Sequence, residues 1–146
     1  MNPLLLIVEI AGEKVALRVD DIESVAELEL LTPVPRSPAH VAGLSTLRSR
    51  VLTVIDCQCA LGLGHSGQRQ AGASAAIAVH DGHAYALLLD NVEDVAQALS
   101  DPTPAGARHG GNWEGMSHGI VETKEGPLLL LDVAALIEGI PETRAA

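Results

Sequence analysis

VEIAGEKVALRVDDIESV, residues Val8–Val25, lies without gaps on AVHDGHAYALLLDNVEDV, residues Ala78–Val95. Six of the eighteen positions are identical: Gly12 with Gly82, Ala16 with Ala86, Leu17 with Leu87, Asp20 with Asp90, Glu23 with Glu93 and Val25 with Val95. A second block follows in the same order, Gly43–Leu61 against Gly119–Ile137. It matches Gly43 with Gly119, Arg48 with Lys124, Leu52 with Leu128 and Asp56 with Asp132. The chain reads as a duplication, with halves at roughly 4–63 and 75–140.

Each half carries the same strand signals. Leu4–Ile10 and Val15–Val19 flank a short turn and predict a hairpin. Ser24–Leu30 alternates apolar with polar or small residues, as a half-buried strand does. Thr32–Pro38 holds three prolines and cannot sustain a ladder. Gly43–Leu47 and Val51–Ile55 predict a second hairpin. Asp56 is then placed to cap a short helical turn, Cys57–Leu61, closed by Gly62. About five strands per half suffice for a small closed barrel without free edges. Neither half has much core alone, so the two are expected to pack together. Gly64–Ser74 reads as a mobile polar loop, and Leu99–Ser117 as a long flexible or functional one.

Composition narrows the function. The 146 residues include forty-two Leu, Ile or Val and twenty-one Ala, ample for a folded core. Aromatics are nearly absent, Trp113 and Tyr85 with no Phe, which counts against base-stacking surfaces and aromatic cages. Nine basic against nineteen acidic residues give a net charge of −10, which repels nucleic-acid backbones and anionic membranes. The apolar run Leu4–Val8 stops at Glu9, too short for a leader or a span. A soluble, cytoplasmic protein is expected.

Chemistry-bearing motifs are sparse. Cys57 and Cys59 are too close in sequence for a disulfide, and a single intervening residue is poor zinc-ligand spacing. His65, His80, His83, His109 and His118 add no ligand pattern, so no metal is expected. Asp20, Asp56, Asp90 and Asp132 recur at strand ends, where a carboxylate accepts unpaired backbone N–H groups. GxSxG, P-loop and GxGxxG signatures are missing, so neither catalytic residue nor cofactor is expected. Arg48 and Arg50 flank Ser49 at a hairpin tip in an otherwise acidic chain. They are either solvated charges or an interface anchor, since arginine offers a planar five-donor fork. Ile22 and Val25, repeated as Val92 and Val95, are either core or docking surface.

The segment Pro35-x-x-Pro38-Ala39-x-Val41-x-Gly43-Leu44-x-x-Leu47-Arg48, then Val51-Leu52-x-Val54-Ile55-Asp56 and Leu61-Gly62, resembles the signature of the CheW-like family. So do Leu87-Leu88-Leu89-Asp90-Asn91-Val92-x-x-Val95 and Gly119-Ile120-Val121 with Leu129-Leu130-Leu131-Asp132. The resemblance runs from about Leu4 to Ile137. It implies an all-β fold of two five-stranded SH3-like barrels on a shared hydrophobic interface. It also implies a non-catalytic adaptor joining a chemoreceptor (methyl-accepting chemotaxis protein) signalling tip to the regulatory domain of a chemotaxis histidine kinase. Neither nucleic acid nor direct membrane insertion is implied; recruitment to membrane-associated receptor arrays is.

Carried over by position, Ile22, Val25, Gly43, Arg48, Val92 and Val95 are expected at the receptor, which docks between the barrels. Ser24, Val25 and Ala42 are expected at the kinase. The chain departs from the family pattern at Ser24, where an acidic residue is common, and at Ser49, where the motif has glycine. Leu6 and Val15 are aliphatic where aromatics are usual, which alters packing more than mechanism. Two other readings stay open. One is a CheW-like adaptor of another array system, for surface motility or development. The other is a small-ligand barrel using the Leu99–Ser117 loop as a lid near Trp113, His109 and His118.

Overall fold

The computed structural model describes residues 3–67, 69–104 and 115–139. Among the described residues each half holds five strands followed by one short helix, as the sequence predicts. The first half supplies β1 (Leu4–Ile10), β2 (Glu13–Arg18), β3 (Ser24–Glu27), β4 (Val41–Leu47), β5 (Arg50–Ile55) and α1 (Cys57–Ala60). The second supplies β6 (Ser74–His80), β7 (His83–Leu89), β8 (Asn91–Gln97), β9 (Ser117–Thr123), β10 (Gly126–Leu131) and α2 (Val133–Glu138).

The halves exchange strands. A central sheet has the order β3-β6-β7-β5-β4 and a terminal sheet the order β8-β1-β2-β10-β9. Each sheet takes its leading hairpin from one half and its other three strands from the other. Replacing every strand by its repeat partner turns one order into the other, so the duplication survives as a two-fold topology. The expectation that each half closes its own barrel is corrected here. Only Asp90 separates β7 from β8, and a single residue cannot reverse the chain, since a hairpin needs at least about two. The strand therefore runs on into the opposite sheet, and β2 crosses likewise through the 3-10 turn Val19–Asp21. The parallel joints match in register: Leu130 faces Ala16 and Val54 faces Ala86.

This topology explains the solid aliphatic runs in β1 and β7. Leu5 and Ile7 point into the interior of the terminal sheet with Ala16, Val121, Leu128 and Leu130. Alternate residues Leu6, Val8 and Ile10 meet Ala76, Ala78, Leu87 and Leu89 of the central sheet in a shared core. Both faces are buried, so the two-residue period disappears. Leu61 after α1 and Leu136 of α2 cover this shared core. A third cluster, with Leu28, Leu52, Val54 and Ile77, fills the central sheet.

Neither sheet is closed by a full ladder. Instead the chain beyond β3 forms one antiparallel bridge, Thr32 with Leu44, and the chain beyond β8 forms its counterpart, Thr103 with Ile120. Gly43 and Gly119 stand beside these bridges with φ +151° and +119°. A Cβ at Gly43 would overlap the Thr32 carbonyl oxygen and lie 2.8 Å from its carbon; at Gly119 it would overlap the Thr103 oxygen and lie 2.9 Å from the carbon.

Among the described residues four polar side chains are buried, Ser45, Asp56, Ser66 and Thr123, and one of them has an unpartnered atom. The Ser45 Oγ has no hydrogen-bond partner, whereas the corresponding residue of the second half is the buried Val121. Removing an unsatisfied buried hydroxyl lifts its desolvation cost. Ser45→Ala is expected to stabilise the fold by about 1 kcal/mol, read as a higher urea midpoint with unchanged m-value.

Candidate functional site

Two adjoining depressions on one side of the molecule hold several of the sequence-derived candidates. The first is a notch where the start of β3 meets the β4–β5 tip, lined by Glu23, Ser24, Leu47, Arg48 and Arg50. Arg48 and Ser49 both take positive φ, 52° and 67°, as a tight primed hairpin turn requires. The turn is thus built without the glycine that the family motif offers, and it holds Arg48 outward. Arg50 donates to Glu23 through both Nη atoms, tying the tip to β3. That bond is the main reason the Glu23 carboxyl titrates below its usual range. Arg48 is exposed and, among the described residues, takes part in no ion pair. Val25 on β3 is 45% exposed, and Leu44 and Val51 are exposed on the β4–β5 hairpin.

The second depression is a groove of about 450 Å3 between the sheets, and it shares Glu23 with the notch. The crossover residues Asp20, Asp21 and Ile22 form one wall; His80, His118 and Asp132 stand opposite. Ile22 is half-buried and packs its inner side on the shared core.

The structure sets Ser24 and Arg48 on one notch and Ile22 on the adjoining groove, with Val25 next to Ser24 on β3. Ser24 and Arg48 had been assigned to different partners, yet they line the same notch. Val92 and Val95 do not join them. They lie on β8 in the other sheet, Val92 half-buried against the shared core and Val95 47% exposed, and neither lines the groove. Duplication repeats their sequence but sets them at the two-fold equivalent place. Ala42 and Gly43 both lie beneath the surface. Ala42 is buried in the central-sheet core, and Gly43 is buried beneath Thr32, so neither offers a side chain to a partner.

Other expectations resolve as follows. Asp56 and Asp132 cap α1 and α2, accepting from the Cys59 and Ala135 N–H groups at 3.0 and 3.2 Å. Asp20 instead lies within the 3-10 turn, and Asp90 receives a long 3.4 Å bond from the Gly12 N–H. The Gly64–Ser74 segment, read as mobile, is anchored: Arg69 donates through Nε to Asp56 at 2.6 Å and through Nη2 to the Ala39 carbonyl at 2.7 Å. Both cysteines are free, and burial raises both thiol pKa values, most strongly at Cys57. Among the described residues no three His, Cys, Asp or Glu side chains gather to hold a metal. His109 and Trp113 lie outside the described residues.

Sequence reading passed over Glu23 as a site residue, although its identity with Glu93 was visible, and over the repeated Thr-Pro pairs 32–33 and 103–104.

Comparison with known proteins fits this geometry. The family model described as CheW-like domain matches residues 4–140. Chemotaxis protein CheW of Thermotoga maritima is 30% identical over 135 residues, covering 90% of this chain and 85% of that protein. The crystal structure of the scaffolding protein TtCheW from Thermoanaerobacter tengcongensis superposes with a TM-score of 0.75 at 21% identity, covering 90% and 84% of the two chains.

Proposed function

The chain belongs to the CheW-like domain family, and on that footing we propose that it is a non-catalytic adaptor coupling chemoreceptor signalling tips to the regulatory domain of a chemotaxis histidine kinase. Such a protein works by binding two partners at once, so its output depends on geometry and effective concentration and on no turnover. We read residues 1–146 as a single CheW-like domain, and the exchange of strands between its halves supports this. The adaptor works in the cytoplasm at membrane-associated arrays. No helix among the described residues is long and apolar enough to cross a membrane.

The observation that carries the reading is Arg48: an exposed arginine in no ion pair among the described residues, set on a constrained turn of an acidic chain in a notch it lines with Ser24. In our assignment Arg48, Val25 and Ile22 meet the receptor, and Ser24 borders the kinase contact. Ala42 and Gly43 act through backbone geometry, while Val92 and Val95 offer a separate surface on β8.

The test is Arg48→Ala, assayed by titration against a receptor signalling-tip fragment. Affinity is expected to fall about tenfold or more, as for an arginine anchor at an interface. The melting temperature should stay unchanged, because Arg48 supports nothing inside the fold. Wild-type affinity in the variant would remove Arg48 from the interface.

A further inference from the structure

Each sheet has one seam without a ladder, between the edge strands β3 and β4 in the central sheet and β8 and β9 in the terminal one. Both seams carry the same two kinds of fastener. One is the threonine bridge described above. The other is an ion pair from a hairpin tip to the chain across the seam, and here the repeat is broken. At the terminal seam the tip cation forms the pair: Lys124 Nζ reaches Asp94 Oδ2 at 3.0 Å. Lys124 is the repeat partner of Arg48, and Asp94 is that of Ser24. At the central seam Ser24 offers no carboxylate. The fastening passes instead to Arg50, which donates to Glu23 through both Nη atoms. The second half has Gly126 at the position of Arg50. Arg48 is thereby released from the seam.

The tip that carries Arg48 also has the greater need of a fastener. In the β9–β10 turn Gly126 supplies the positive φ, +97°. In the β4–β5 turn Arg48 and Ser49 both take positive φ, which L side chains rarely adopt. Such a backbone persists where its surroundings over-determine it. Within the hairpin the Leu47–Arg50 ladder pair closes the turn, and across the seam the forked Arg50–Glu23 contact ties it down. Both groups register that contact: the Glu23 carboxyl titrates below its usual range and the Arg50 guanidinium above its own.

We propose that Glu23 is a positioning residue: by holding Arg50 it fixes the β4–β5 tip against the start of β3 and presents Arg48 to the partner in one orientation. An anchor held in its bound geometry binds more tightly, because less freedom is lost on association. The inference rests on the receptor reading of Arg48 proposed above. Its first readout needs no partner, so the clamp and the receptor contact can fail separately.

The experiment compares the full chain with its Glu23→Gln variant, which keeps the shape of the side chain and removes its charge. In the free proteins 15N relaxation is expected to show lower order parameters at Arg48 and Ser49 in the variant, with Lys124 and Glu125 unchanged. Against a receptor signalling-tip fragment, Glu23→Gln should bind about threefold more weakly, with no further loss in an Arg48→Ala background, as when one residue acts through another. Exchanging the pair, Glu23→Arg with Arg50→Glu, should restore both the order and the affinity. Unchanged order at the tip in Glu23→Gln, an equal loss of affinity with and without Arg48, or a folded exchanged pair that restores neither would each overturn the proposal. Wild-type affinity in Arg48→Ala would overturn the receptor reading and the presentation of Arg48 with it, whereas unchanged tip order overturns the clamp alone.

Discussion

Gly43→Ala and Gly119→Ala are each expected to lower the stability of the fold by about 3–5 kcal/mol, through combined backbone strain and the loss of a packed bridge. Both glycines have φ values that L side chains rarely adopt, and both press against the backbone of a Thr-Pro segment. The obstacle is a carbonyl group and cannot rotate away like the end of a flexible side chain. A methyl group at Gly43 must push Thr32 outward and break both bonds of its bridge, Thr32 N–H to the Leu44 carbonyl at 2.9 Å and Leu44 N–H to the Thr32 carbonyl at 2.8 Å. At Gly119 the bonds at risk are the equivalent pair with Thr103, at 2.9 and 2.7 Å. For a chain of this size the loss corresponds to a fall in melting temperature of roughly 10–15 °C. Urea denaturation checks it. A Gly43→Ala protein that melts like wild type but no longer binds receptor would return this residue to the interface.

Asp56→Ala is expected to cost about 3 kcal/mol or more, within the range for breaking a buried ion pair by removing one member. The carboxylate accepts from three donors at once: the Cys59 N–H of the α1 cap, the Ser66 N–H and Arg69 Nε. Asp132→Ala removes the cap and little else, and should cost about 1 kcal/mol. The contrast between two equivalent residues is the diagnostic quantity. In the Asp56 variant trypsin should also cleave after Arg69 much faster than in wild type, while the rest of the fold stays protected. Equal costs for the two aspartates would mean that Arg69 adds nothing to the fold.

Much of this architecture was legible before any coordinates. The repeat, the ten strands and the two aspartate caps follow from local signals: aliphatic runs, turn residues and an acid before a helical turn. Strand partnership was not legible, because a strand's pattern records which faces are buried and not what buries them. The decisive clue was a connection length, the single Asp90 between β7 and β8. The Arg69–Asp56 pair was equally hidden, since two charges thirteen residues apart carry no periodic signature.

Of the candidate site, Arg48 at its hairpin tip was readable from the turn and the charge. Gly43 was noticed, but its physical role depends on Thr32, which sits in a proline-rich stretch that sequence reads only as irregular. Where Val92 and Val95 lie was not readable from the motif alone: the strand exchange puts Val25 and its repeat partner Val95 on different sheets.

The central claim is that this one chain holds receptor and kinase together. Its most direct measurement is co-sedimentation of a histidine kinase with receptor-bearing vesicles, with and without the full chain at saturating concentration. The account predicts that kinase pellets with the vesicles only when the chain is present, and that Arg48→Ala lowers the pelleted fraction. Kinase remaining in the supernatant at every concentration of chain, while both proteins are folded, would contradict it.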